Sequence, residues 1–203
     1  CLKTRTDHRV YNNNLETFLI SLIKTFPVKE NKLIKSRILV PPMGTFKFFL
    51  YHLTDLMMFG ETEDLINYWD KENYDVGLEK MGLSEKNYFI NDTPLCPETF
   101  LCSRFIGKIE DDLTWDLENW WRCLRDYFCI IDNSSLDSLW FKYEWEVEYR
   151  YLKTYSDKIS RTVDFHEWLS LYNNSKNNWQ LYSKEHEKFE EFNGSYRGKN
   201  LFL

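Results

Sequence analysis

The residues best spaced for chemistry are three glutamates, Glu144, Glu146 and Glu148, at alternate positions of the run Phe141-Lys142-Tyr143-Glu144-Trp145-Glu146-Val147-Glu148-Tyr149-Arg150-Tyr151. Two residues advance a strand by roughly 6.6 to 7 Å, so on a strand the three carboxylates form a row along one face. Such a row could bind a divalent metal or supply an acid and a base, and Lys142 on the same face suits a metal-dependent nuclease or hydrolase. The plainer reading is solvated charge, because alternation alone demands polar residues there.

Other candidates are thinner. His166-Glu167 lacks the second histidine of a zinc-protease helix, since Ser170 stands four residues on, and His186-Glu187 is equally isolated. Cysteines at 1, 96, 102, 123 and 129 form two pairs with five-residue spacers, longer than the two to four that zinc sites favour. Free buried thiols in a reducing compartment are the expectation. No Gly-x-Ser-x-Gly and no phosphate-cradling glycine loop appears, and seven glycines leave little room for one. The expected catalytic, cofactor-binding and metal residues are therefore none, with no cofactor.

The elements that must position these residues start with the same run. Its odd positions are aromatic or β-branched and its even positions charged, which only a strand with one packed and one wet face can segregate. Upstream, Asn14 reads as an N-cap for a helix carrying Leu15, Phe18, Leu19, Leu22 and Ile23, ending before Pro27. Residues 1–13 read as a loose polar tail and Lys32 to Val40 as a short strand. Phe46 to Met58 and Glu61 to Trp69 read as helices, and Phe100 to Ile109 as a strand. Thr114 to Ile131 is the strongest helix candidate, Asp132 to Ser135 a turn, and Ile159 to Val163 a strand. Asp164 to Tyr172 and Trp179 to Phe192 read as helices. The fold class expected is α+β, a mostly antiparallel or mixed sheet packed on helices. It divides into an α+β domain over 1–163 and a helical C-terminal extension over 164–203.

Composition narrows the partners. A net charge of −6 and a pI near 5.3 argue against a nucleic-acid backbone, which calls for clustered Lys and Arg. Lys3, Arg5 and Arg9 at one end, and Arg197 and Lys199 at the other, read as solvated tails. No apolar stretch reaches the roughly 18 residues of a membrane span. Aromatics at 18% are enough to build a core, so general disorder is excluded. Alanine is absent and Gln180 is the only glutamine, a codon bias of AT-rich genomes such as those of organelles.

The run Asn119-Trp120-Trp121-Arg122-Cys123-Leu124-Arg125-Asp126-Tyr127-Phe128-Cys129-Ile130 resembles a segment of NuoC-type subunits of the peripheral arm of respiratory complex I. In that family a tandem aromatic precedes Glu-Arg-Glu and Asp-x-Phe-Gly-Ile; here both glutamates are absent and Cys129 replaces the glycine. Val147-Glu148-Tyr149-Arg150-Tyr151 is similar to the family's Val-Glu-Val-Arg-Tyr. Ile38-Leu39-Val40-Pro41 and Leu53-Thr54-Asp55-Leu56 resemble its early strand-proline and Leu-x-Asp elements. The family's loop rich in His-Pro, Arg and Lys is replaced by Asp132 to Trp140. The resemblance implies a non-catalytic, cofactor-free scaffold subunit on the matrix side of the mitochondrion, with other protein subunits as partners. Its interface or scaffold residues would be Trp120, Trp121, Arg122, Arg125, Asp126, Phe128, Glu148, Arg150 and Tyr151. Two other classes stay open: the metal-dependent hydrolase or nuclease, and a small acidic binding or immunity-type protein.

Overall fold

The structure, a computed structural model, describes residues 1–29, 33–70, 89–90, 93–94, 97–110, 113–140 and 162–197. The alternating run, with Glu144, Glu146, Glu148, Arg150 and Tyr151, lies outside them, as does most of the strand expected over 159–163. The architecture is α+β. A four-stranded sheet has the order β1-β4-β3-β7, with β1 at Leu2–Thr4, β3 at Ile38–Val40, β4 at Met57–Phe59 and β7 at Phe128–Ile130. Beside it, β2 (His8–Val10) pairs antiparallel with β8 (Ser138–Trp140), and β5 (Phe89–Ile90) pairs with β6 (Thr93–Pro94). Residues 1–13 are therefore not a loose tail but carry two strands, Leu2–Thr4 and His8–Val10, because a polar sequence can hold an edge strand when a neighbour pairs with it.

Helices cover the sheet: α1 (Leu15–Thr25), α2 (Thr62–Trp69), α3 (Pro97–Ile109), α4 (Leu117–Tyr127), the single turn α5 (Asn133–Leu136), α6 (Phe165–Asn173) and α7 (Gln180–Arg197). Asp164 caps α6 in a capping box with Glu167, and the Asp116 carboxylate caps α4 by accepting from the Asn119 amide at 2.8 Å. α2 is tied down by the Asp64 carboxylate, which accepts from the amides of Lys35 and Ser36 just before β3.

Three expected elements change type. Phe46 to Met58 is an irregular buried loop ending in β4. The backbone turns through left-handed conformations just before it at Gly44 (φ 83°) and within it at Tyr51 (φ 56°), and Phe48, Leu50, Tyr51, Leu53 and Leu56 are buried at spacings no helix face matches. The carbonyls of Phe46 and Lys47 accept instead from the indoles of Trp120 and Trp121, each at 2.8 Å. Phe100 to Ile109 belongs to helix α3, where Pro97 takes the first turn that proline favours and Thr99, Cys102, Ser103 and Ile106 line one buried side. The long helix expected over 114–131 stops at Tyr127. Phe128, Cys129 and Ile130 are apolar and fully buried, as a strand covered on both faces must be, and they pair in parallel with Ile38, Leu39 and Val40.

One hydrophobic cluster joins all of this, with Trp120, Trp121, Trp168, Phe105 and Phe128 at its centre and Trp179, just before α7, with Tyr182 and Phe189 of α7 at its margin. Among the described residues, no helix is long and apolar enough to cross a membrane.

Candidate site at the carboxyl edge of the sheet

Strand directions decide where a site belongs. β4 is antiparallel to β1 and to β3, and β3 is parallel to β7, so β1, β3 and β7 share one direction. Their carboxyl ends lie along one edge, the place where open α/β sheets bind ligands. Arg5 leaves β1 at that edge, Asp55 approaches β4 there, and Pro41 and Asp132 follow β3 and β7.

A charged cluster is assembled at this edge from segments fifty residues apart. Arg5 donates from Nε to Asp7 Oδ1 at 3.0 Å, from Nη2 to Asp7 Oδ2 at 3.4 Å, and from Nη1 to Asp55 Oδ2 at 3.2 Å. All three side chains are partly shielded, at 34% exposure for Arg5 and 26% for each aspartate. Lys3 donates to the Asp55 carbonyl, and its ammonium lies 4.0 Å from the ring centre of Trp69. His8, the first residue of β2, is buried, and its Nδ1 has no hydrogen-bond partner among the described residues. His52, on the loop before Asp55, has Nδ1 at 2.8 Å from the Gly44 carbonyl, and its ring packs 4.6 Å from that of Phe46, tilted by 58°.

The electrostatics follow from that geometry. The hydrogen bond to Asp7 raises the Arg5 pKa, with Asp55 adding to it. Burial pushes the Lys3 ammonium down despite Asp55. Burial likewise lowers His8 against the pull of Asp7, and lowers His52 against its bond to Gly44, so both imidazoles favour the neutral form. Two carboxylates, a clamped guanidinium, a lysine of lowered pKa and a neutral imidazole can together hold a polar molecule and move a proton.

This cluster escaped sequence reading, which took Lys3 and Arg5 for a solvated tail. The signal was present: Lys3, Arg5, Asp7 and Arg9 alternate with the same period of two as the run at 141–151. The predicted interface residues fall elsewhere. Trp120, Trp121 and Phe128 are core, and the indole N–H of each tryptophan is spent on a loop carbonyl. Arg122 makes a bidentate pair with Glu110, to which Tyr127 also donates at 2.5 Å. Arg125 clasps Asp126 at 2.8 and 2.9 Å and donates to the Asn174 carbonyl and Asn177 Oδ1. Arg125 and Asp126, at the end of α4 that leads into β7, lie at the far edge of the sheet from the cluster, whereas Trp120 and Trp121 meet the loop that follows β3; Glu148, Arg150 and Tyr151 lie outside the described residues. Cys102, Cys123 and Cys129 are free, buried thiols, and burial raises the pKa of each, that of Cys129 to about 12. They are inert packing groups rather than nucleophiles.

Fold and site define an α+β protein with a shielded charged cluster at the carboxyl edge of a mixed sheet. No protein-family model matches the chain, and no curated protein or solved structure matches it.

Proposed function

We propose that the carboxyl-edge cluster is a binding and proton-transfer site for a polar small molecule. The observation that carries this reading is Arg5 clamped between Asp7 and Asp55, beside Lys3, where the ends of three co-directional strands meet. Asp7 and Asp55 accept hydrogen bonds from the ligand, Lys3 donates, and Arg5 sets the distance between the carboxylates. Amide correlation spectra recorded with a panel of polyols, amines and phosphorylated metabolites test it. Saturable shifts confined to residues 3–9 and 52–56, lost in Asp7→Asn/Asp55→Asn, are expected. Shifts that survive the double substitution, or a panel without effect, overturn it.

A second reading is the non-catalytic scaffold subunit implied by the NuoC-type resemblance, set among complex I subunits on the matrix side of the mitochondrion. Its support is the packing and ion pairing of Trp120, Trp121, Arg122, Arg125 and Asp126. That support is weaker, because all these contacts are made within the chain and leave a partner little to hold. Mass spectrometry of proteins that co-purify with the native chain separates the two readings: a stoichiometric set of respiratory subunits favours the second, and their absence removes it.

A further inference from the structure

At the opposite, amino edge of the sheet, Arg37 precedes β3 and is 2% exposed. Its Nη1 donates to the Asp126 backbone carbonyl, and its guanidinium carbon lies 5.2 Å from the ring centre of Tyr172 on the last turn of α6. Among the described residues, Nε has no hydrogen-bond partner and no carboxylate lies within ion-pair distance of the group. A buried charge without a counter-charge is costly, and a buried donor without an acceptor calls for an explanation.

The surroundings make the imbalance larger. Among the described residues, Asp126 is the only carboxylate these cations share, and it is already clasped by Arg125, with Lys29 at 3.8 Å. Counting the described residues, Lys29, Arg37 and Arg125 therefore place three positive charges around one negative charge. Arg122 also approaches Asp126, at 3.9 Å, but is neutralised by Glu110. Water could fill the hydrogen bond at Nε; it could not offset the charge. With Nη1 occupied, Arg37 keeps the Nε–Nη2 side of its fork, the side that meets an oxyanion with two parallel hydrogen bonds.

We propose that Arg37, with Lys29 and Arg125, forms a site for a phosphate group at the amino edge of the sheet, covered by the Tyr172 ring. An excess of two positive charges suits phosphate, which carries about −1.5 to −2 at neutral pH, better than a singly charged carboxylate. The ring of Tyr172 moves aside for the anion to reach Nε. The exposed ammonium of Lys29 guides it in, and the saturated Arg125 holds Asp126 away from the fork.

Thermal unfolding of the full chain at matched ionic strength, with inorganic phosphate, glycerol 2-phosphate, acetate or chloride, tests the site. Both phosphates are expected to raise Tm saturably where acetate and chloride do not. A response to inorganic phosphate alone assigns the free ion, and one to the ester as well assigns a phosphorylated small molecule. Arg37→Met, which removes an unpaired buried charge, should fold at least as stably without phosphate. It should bind phosphate roughly tenfold more weakly. Lys29→Met, at a side chain 73% exposed and free of packing duties, should weaken binding about threefold. Equal effects of all four salts overturn the proposal, as does an undiminished phosphate response in both variants.

Discussion

Two titrating groups give the clearest residue-scale expectations. His8 is buried with a lowered pKa, so below about pH 6.5 the unfolded chain takes up a proton that the folded chain resists. Stability is therefore full above that pH and declines as pH falls toward the folded value. His8→Leu should flatten this slope in urea melts between pH 7 and pH 5; a slope identical to that of wild type would show that His8 does not titrate with unfolding. Glu167 carries the opposite sign. Burial raises its pKa, against the lowering effect of Lys47, so the fold favours its protonated form and its penalty grows as pH rises from about 4 to neutrality. Glu167→Gln should accordingly gain on wild type across that interval. Lys47, 5% exposed and paired with Glu167 and Glu185, is the complementary case. Lys47→Met strands two carboxylates and should cost about 3 kcal/mol, most of it recovered in Lys47→Met/Glu167→Gln.

The loop between β3 and β4 is the element whose structure the sequence concealed. Its apolar run looks like a helix because helix and buried loop can share composition, and because the donors to its carbonyls come from Trp120 and Trp121, seventy-four residues on. No local pattern reveals such partners. Where local chemistry suffices, the sequence is legible: α1 follows from its apolar spacing, and α6 from Asp164 and Glu167 at capping distance. The same split explains the candidate site. Charge alternation at residues 3–9 was visible, but Asp55 joins them only through the β1–β4 pairing. The loop's dependence on α4 makes a prediction. Trp121→Phe keeps most of the packing but leaves the Lys47 carbonyl unsatisfied, and should cost about 1–3 kcal/mol. Gly44→Ala should cost a similar amount, since φ is 83° and a Cβ would come within 3.1 Å of Thr54 Oγ1. Chemical denaturation measures both; a neutral Trp121→Phe would mean that the indole bond does not hold the loop.

At the scale of the whole molecule, the sheet separates two kinds of charge. Its carboxyl edge carries the mixed cluster of Arg5, Asp7 and Asp55, and its amino edge carries the cation-rich group around Asp126, with the aromatic core between them. Both edges therefore depend on how firmly the core holds the strands in register. The last described helix, α7, contributes to that core although it comes after every described strand: Tyr182 packs 5.5 Å from the Trp121 ring, and Phe189 lies 5.0 Å from Phe48. Trp179, just before the helix, lies 5.9 Å from Trp121 and beneath the Arg125 guanidinium. Burying each of these three aromatics contributes about 1.5–3 kcal/mol, and a domain's whole stability is about 5–15 kcal/mol. A chain ending at Asn178 should therefore lose most of its folding free energy, bind a hydrophobic dye and unfold without a sharp urea transition. Tyr182→Ala in the intact chain should give a milder version of the same loss, about 3 kcal/mol. A truncated chain with the wild-type urea midpoint would show that α7 rides on a core that is complete without it. Both charged edges would then have to be positioned by residues 1–178 alone.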